Sequence, residues 1–537
     1  MRRFYHTESM RHASLHSPEM PLSSHCRKKS MPWQSPPDEA CMNRRYPRWT
    51  LAFRSFRLSC SWIQIHVIAF LLLLALPAMA VAVDIPDPRT LTFPPLKFVL
   101  PNTERVVLGN GMVVHMLEDH ELPQVSISAL IGTGGVYEPD EKTGLAALTG
   151  TVMRSGGTVS TSPEKMDDEL EFMASSIESG IGDDSGYLSM STLSRNLERT
   201  LLVFAQVLME PYFREDKVEL ARKLSIESLR RQNDDPKAIA DRELTKAVYR
   251  GTPLGQVPSF ASIAAITRDD MIVFHRKYYH PNNVILSVAG DFNSREMLLL
   301  LNRVFAGWKR EPVEFPKIKT PVAEFRPEVL YVAKDVNQSV IRMGHMGIDK
   351  DNPDMYAIRV MDAVLGSSGF NSRLMSEVRN AQGLAYNVES SFDIGRRYLG
   401  KFTAETETKA QTTAKTIGLM EKIIAGMTKE PVTDQELTLA KDSIINSFIF
   451  GFTSPAVVAN QKARLEYYHY PAGYLDNYRD NIARVTRDDV LRVARKYLHP
   501  EALKLVVVGD ARLFDKPLST FGRVEEIKLE HIGKPPQ

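Results

Sequence analysis

The chain has 537 residues, 43% of them hydrophobic and 25% charged, with a formal net charge of +2. This is the composition of a folded globular chain with room for two to four domains. The near-neutral balance, with no basic run interleaved with aromatics in the body of the chain, excludes the electrostatic footprint of a nucleic-acid binder.

The first element in chain order is the apolar run Val67-Ile-Ala-Phe-Leu-Leu-Leu-Leu-Ala-Leu-Pro-Ala-Met-Ala80, preceded by Arg54 and Arg57 and ending in the small-residue step Ala78-Met-Ala80. A basic flank, a short apolar core and a small-residue exit make a secretory signal, cut after Ala80 or, as the second choice, after Ala82. The competing reading is a membrane anchor, but the run falls short of the roughly 20 residues that a span requires. Signals of this kind are N-terminal, so residues 1–41 are expected to precede the true start, at Met42. Cys26, Cys41 and Cys60 all lie before the cut, so the exported chain carries no cysteine, no disulfide and no thiolate site. The expected location is outside the cytoplasm, in a bacterial periplasm, with no membrane span left after cleavage.

Residues 81–103 are rich in Pro and are expected to form an extended arm, followed by strands over Val106–Leu117 and Gln124–Ile131. After the turn Gly132-Thr-Gly-Gly135 comes Gly144-Leu-Ala-Ala-Leu-Thr-Gly-Thr-Val-Met-Arg-Ser-Gly-Gly-Thr158, whose Leu145, Leu148 and Val152 predict a helix. In this setting the stretch resembles the first active-site helix of the pitrilysin-type zinc peptidases, the group that includes insulysin and the mitochondrial processing peptidases. Those enzymes carry H-x-x-E-H there, two histidines four apart on one helix face as zinc ligands and a glutamate as general base. In this chain the three positions are Ala147, Gly150 and Thr151. A methyl group, a hydrogen and a hydroxyl cannot hold zinc or take a proton from water. The resemblance therefore implies a peptidase-like body with no metal centre and no cofactor of its own.

Helices are predicted over 165–178, 195–210 and 214–232. In the resembled family a later glutamate, in a helix ahead of an Asp-Pro turn, completes the zinc site. The matching region here is Ile226-Glu-Ser-Leu-Arg-Arg-Gln-Asn-Asp-Asp-Pro236, and the position falls on Glu227 or Ser228. His115, Glu118 and His120 have a superficially ligand-like spacing, but they flank a strand and its turn, where His115 and Glu118 point to opposite faces. His275 and His280 are five apart and share no helix face well.

The clearest internal signal is a repeat. Ile266-Thr-Arg-Asp-Asp-Met, Arg276-Lys-Tyr-Tyr-His-Pro281 and Val288-Ala-Gly-Asp291 recur as Val485-Thr-Arg-Asp-Asp-Val, Arg495-Lys-Tyr-Leu-His-Pro500 and Val507-Val-Gly-Asp510, offset by 219 positions from Thr267 to Thr486 and from Asp291 to Asp510. Each copy reads as a Thr N-cap, an amphipathic helix, a His-Pro stop and a strand. His280 and His499 are accordingly assigned to helix ends rather than to a ligand set. Arg310-Glu-Pro-Val-Glu-Phe-Pro-Lys-Ile-Lys-Thr-Pro321, with its prolines and alternating charges, is the expected linker. The predicted division is an upstream extension and signal (1–80), the arm (81–103), an N-terminal unit (104–309), the linker (310–324), a C-terminal unit (325–525) and a tail (526–537). In the second unit, helices are predicted over 352–366, 409–427 and 434–449. The periodicity gives mixed helix and strand content. The resemblance implies an α+β fold of two homologous units, each an antiparallel sheet with packed helices, facing each other across a chamber.

The second unit keeps what the first has lost. Gly369-Phe-Asn-Ser-Arg-Leu-Met-Ser-Glu-Val-Arg-Asn-Ala-Gln-Gly-Leu-Ala-Tyr386 matches the family's run in which an arginine and a tyrosine seven apart reach toward the scissile peptide, here Arg379 and Tyr386. Arg379 falls in the last turn of a helix stopped by Gly383, and Tyr386 opens the alternating strand Tyr386–Phe392. A guanidinium and a phenol can grip a peptide carbonyl and stabilise the negative charge that develops on its oxygen. Arg373, also in the run, is assigned a structural role.

Some two-chain members of the resembled family place the zinc motif on one subunit and the arginine–tyrosine pair on the other. The resemblance thus implies a non-catalytic, substrate-binding subunit. Its partner would be a homologous chain with an intact H-x-x-E-H that carries the zinc, and its substrates would be peptides. The alternative is a scaffold of the same fold with no proteolytic role, against which Arg379, Tyr386 and the secretory leader weigh. A peptidase using other residues finds no second ligand cluster in the exported chain.

Overall fold

The computed structural model describes residues 99–529. The signal and its cut at Ala80, the three cysteines and the arm up to residue 98 lie outside the described residues. The first sheet is built from β1 (Glu104–Val107), β2 (Val113–Glu118), β3 (Gln124–Ile131), β4 (Ser176–Ile181), β5 (Gly186–Leu193) and β6 (Val284–Gly290), in the order β1-β2-β6-β3-β5-β4. Downstream come β7 (Glu328–Ala333), β8 (Gln338–Met346), β9 (Ile348–Asp349), β10 (Ala385–Phe392), β11 (Ile394–Gly395), β12 (Lys401–Lys409), β13 (Lys504–Gly509) and β14 (Val524–Glu526). The second sheet runs β10-β12-β8-β13-β7-β14, and β9 pairs with β11 alone.

Read from the opposite edge, the second sheet repeats the first. β6 lies parallel to β2 and antiparallel to β3, and β13 likewise lies parallel to β7 and antiparallel to β8. The helices ahead of β6 and β13, Arg268–Tyr278 and Arg487–Tyr497, start in capping boxes made by Thr267 with Asp270 and by Thr486 with Asp489. Each sheet is therefore mixed rather than antiparallel as expected, because the strand that closes each repeat returns beside the unit's first long strand in the same direction.

Alternation along the strands sends two sets of side chains to opposite faces. In the first sheet Val114, Met116, Leu286 and Val288 enter the core shared with that unit's own helices. His115 and Ser287 point to the other face, which is covered by the second unit's helix Pro455–Tyr467. The second sheet reciprocates. Ile341, Met343, Leu505 and Val507 face its own helices, while Leu330, Val332, Val340, Val506 and Val508 pack on Ile239, Ala240 and Leu244 of the first unit's helix Pro236–Val248. The two exchanged helices begin 219 positions apart, at Pro236 and Pro455. Among the described residues the chamber expected between the units is not seen, because each facing sheet surface is filled by the other unit's helix.

The exchanged contacts differ in chemistry. The helix Pro236–Val248 seals an apolar face, with Arg342 of β8 donating to Asp241 at 2.6 Å. The helix Pro455–Tyr467 lands on a polar face, where Glu466 takes Arg105 Nε and Nη2 at 2.8 and 2.7 Å and lies 2.8 Å from His115 Nε2. The Arg105 hydrogen bonds hold the Glu466 carboxyl below the usual carboxylate range. Burial lowers the His115 pKa, outweighing the pull of Glu466.

Other departures from expectation are local. Val106–Leu117 is a hairpin, turned at Asn110-Gly111, where Gly111 takes φ +90. The helix expected over 165–178 ends at Phe172, since Ala174 takes φ 48 and the chain leaves as β4. No helix or strand occupies 308–327. Among the described residues no single helix is long and apolar enough to cross a membrane.

Candidate functional site

Leu145–Ser155 forms the expected helix, and Leu145, Leu148 and Val152 enter the core. Its N-terminus has no side-chain N-cap of its own. Glu138 serves instead, accepting the Gly144 and Ala146 amides at 2.8 Å each. Burial nevertheless pushes the Glu138 carboxyl up to about 7, against those two amides.

Ala147 and Thr151 stand exposed one turn apart, where the resembled enzymes place their histidines. The Thr151 hydroxyl is turned back on its own helix and donates to the Ala147 carbonyl at 3.0 Å. Gly150 is buried against β4, and a β-carbon there would come within 2.4 Å of the Ile181 nitrogen and 2.7 Å of the Gly180 carbonyl carbon. Ser179 of β4 adds a hydrogen bond to the Gly150 carbonyl at 2.6 Å. A strand therefore occupies the space that a glutamate side chain would need.

Neither candidate for the third ligand repairs the set. Glu227 is exposed and ion-paired to Arg230 on its own helix, Glu215–Arg231, and Ser228 is exposed beside it. The donor chemistry at Ala147, Gly150, Thr151 and Ser228 does not fit a zinc ion. The scattered histidines are spent elsewhere. His115 faces Glu466, and His120 pairs with Asp291 at 2.7 Å. Buried His275 donates to the Leu208 carbonyl at 3.0 Å, and the His499 ring lies 3.7 Å from that of Phe325. Among the described residues no three His, Cys, Asp or Glu side chains gather in a way that could hold a metal ion.

Arg379 and Tyr386 lie side by side in the structure. Arg379 lies in Met375–Ala381, a wide π-helical turn rather than a regular α-turn, the kind of local irregularity that recurs at functional sites. Gly383, with φ +61, reverses the chain, and its amide closes on the Arg379 carbonyl at 2.9 Å. Tyr386 then projects at the start of β10, 84% exposed.

The Arg379 guanidinium carbon lies 4.8 Å from the centre of the Tyr386 ring and 4.6 Å from that of Phe370, itself 65% exposed. Two aromatic rings thus flank one cation. Arg379 is half-buried, and among the described residues no carboxylate forms an ion pair with it. The sequence reading named Arg379 and Tyr386 and missed Phe370, although Phe370 sits inside the same quoted run. Arg373 is structural, as assigned, and binds Glu436 at 2.6 and 2.9 Å across the start of the helix Asp434–Ser447.

Comparison with known proteins bears on the family and the fold. A family model described as insulinase, peptidase family M16, matches residues 113–258, and one described as the peptidase M16 inactive domain matches residues 265–444. The chain is 22% identical over 395 residues to an uncharacterized zinc protease of Rickettsia felis, covering 72% of this chain and 93% of that protein. A peptidase M16 inactive domain from Pseudomonas fluorescens superposes with a TM-score of 0.71 at 26% identity, over 78% of this chain and 100% of that one. The periplasmic protease PqqL from Escherichia coli superposes with a TM-score of 0.66 at 15% identity, over 77% of this chain but only 46% of its own.

Proposed function

The chain belongs to the M16 peptidase family, and on that premise we propose that it is the non-catalytic, substrate-binding subunit of a heterodimeric zinc metallopeptidase in a bacterial periplasm. The observation that carries this reading is the pairing of a lost centre with a kept one. Ala147, Gly150 and Thr151 offer no ligand or base, and β4 fills the space beside them. The Arg379 guanidinium lies against the Tyr386 and Phe370 rings, and among the described residues no carboxylate pairs with it. A scaffold has no need of a cation without a carboxylate partner set against two exposed rings.

In this role the guanidinium donates in its plane to a peptide carbonyl oxygen, and the Tyr386 hydroxyl adds a further donor. Both stabilise negative charge that grows on that oxygen as the peptide is attacked. Zinc and the general base belong to the partner, a homologous chain with an intact H-x-x-E-H.

The test begins with native mass spectrometry of the tagged chain recovered from its own source, read for a second chain of similar size and for zinc. The Arg379→Ala variant of the recovered pair should then lose about 100-fold or more in kcat/KM with the pair intact, the usual cost of removing one oxyanion donor. Unchanged peptidase activity in that variant would leave the scaffold reading standing, and stoichiometric zinc on this chain alone would refute the proposal.

A further inference from the structure

We propose that the link between the two units is a site for proteolytic cleavage after Lys317 or Lys319, and that the cut halves stay bound to each other as a stable two-chain assembly. The inference is independent of the role given to Arg379 above, because it rests on the link and on the exchanged helices alone.

A protease takes its substrate as an extended segment, so it needs a stretch whose backbone is exposed and not already paired. Residues 308–327 carry no helix or strand, and among the described residues none of 312–327 makes a backbone hydrogen bond. The link is fastened at both ends. On the first unit, Glu311 exchanges two hydrogen bonds with the Asn282 side chain, at 2.9 and 3.1 Å, and the Phe315 ring lies 5.0 Å from that of Tyr137. Towards the second, Pro321 is buried and the Phe325 ring lies 5.8 Å from that of His345 in β8. Between these fastenings Lys317, Lys319 and Thr320 are exposed, and among the described residues neither lysine forms an ion pair. An exposed lysine on an unpaired backbone is what a serine protease of trypsin-like specificity accepts. Cleavage adds water across the Lys317–Ile318 or the Lys319–Thr320 peptide bond, leaving a carboxylate on the lysine and an ammonium group on its neighbour.

The cut severs one covalent tie and removes no packing. The helix Pro236–Val248 stays with the first half and the helix Pro455–Tyr467 with the second, and each lies on the other half's sheet. Separation would strip a layer from both sheets. It would uncover Leu330, Val332 and Val506 on one and His115 and Ser287 on the other. It would also break the hydrogen bonds that the Tyr467 and Tyr468 hydroxyls donate to Asp184 at 2.7 and 2.9 Å. The intact link holds the halves at a high effective concentration, so cutting it makes stability depend on protein concentration without deleting a contact.

The experiment uses the full tagged chain, treated briefly with trypsin under native conditions. Within residues 99–529 the first cut should fall after Lys317 or Lys319, read by denaturing mass spectrometry of the fragments. Gel filtration of the cut sample should give a single species of the uncut size that contains both fragments. Its thermal midpoint should rise with protein concentration, while that of the uncut chain should not. Lys317→Gln combined with Lys319→Gln should abolish the cut and leave the midpoint of the uncut chain unchanged, since both side chains are exposed. A first cut elsewhere in 99–529 overturns the site, and fragments that part on gel filtration overturn the assembly. Either result leaves the proposed function standing.

Discussion

Gly150 is where the loss of the metal site can be tested most directly in the structure. Replacing it with Ala adds one methyl to a helix interior, which on propensity alone should stabilise by about 1 kcal/mol. The structure predicts the opposite sign. The new carbon would lie 2.4 Å from the Ile181 nitrogen and within 2.9 Å of two Gly180 atoms, all of them backbone. Ordinary contact needs roughly 3.5 Å, so β4 must retreat by about 1 Å. Overpacking of this kind costs about 1–3 kcal/mol, and the Ser179 hydrogen bond to the Gly150 carbonyl, worth about 1 kcal/mol, is strained as well. The net expectation is a loss of about 2 kcal/mol, or about 4–8 °C in the thermal midpoint for a unit of this size. Thermal unfolding followed by circular dichroism reads the midpoint, and hydrogen exchange of peptides covering Ser176–Ile181 reads whether β4 has loosened. A Gly150→Ala protein as stable as wild type or more so, with β4 protection unchanged, would refute the reasoning. By the same argument, the combined change Ala147→His, Gly150→Glu and Thr151→His should not restore peptidase activity to the isolated chain.

Two further outcomes test the body of the fold. Glu466→Gln should lower the thermal midpoint by about 2–4 °C, because Arg105 and His115 lose the one carboxylate that ties the helix Pro455–Tyr467 to β1 and β2, and a partly exposed pair of this kind contributes about 1 kcal/mol. Burial holds His275 and His345 down to about 4, so both are neutral in the fold, and the stability they support is complete above pH 6.5 and is lost as pH falls from there through 4. Midpoints measured at pH 7, 5.5 and 4.5 should fall in that order, and a His275→Asn variant should show a shallower fall than wild type.

The duplication was legible because it is written in local chemistry. A Thr N-cap, an acidic N3 residue and a His-Pro stop are short-range features, and they recur at Thr267 and Thr486 with nothing else needing to be known. The Arg379–Tyr386 pair was legible only through the family resemblance, since on local chemistry alone Arg379 reads as a helix-end cation and Tyr386 as a packed aromatic. The exchanged helices were not read. Their apolar residues, such as Ile239, Ala240 and Leu244, pack on Leu330, Val332 and Val506, strands far along the chain that no window of sequence contains. The one available signal was Asp235-Pro236 and Ser454-Pro455, cap and first-turn proline at the same 219-residue offset as the repeat. Phe370 was missed because its meaning is geometric: a ring nine residues from Arg379 becomes part of the site only once the π-helical turn carries the guanidinium back over it.

The exchange of helices bears on what the chain needs from a partner. A chamber between the two units would require an open face on each sheet, but one face of each is taken by its own helices and the other by the helix it receives. Opening that interface would expose the apolar strip Leu330, Val332, Val340, Val506 and Val508 and break the Glu466 and Asp241 contacts together. The two units therefore pack as one unit, and Tyr386 and Phe370 beside Arg379 are exposed on it rather than buried within it. In the role proposed for Arg379 and Tyr386, a grip on a peptide carbonyl acts in catalysis only if a second surface brings the attacking group to the same carbonyl. On our reading that surface is supplied by another chain, so the second wall of the chamber and the metal arrive together.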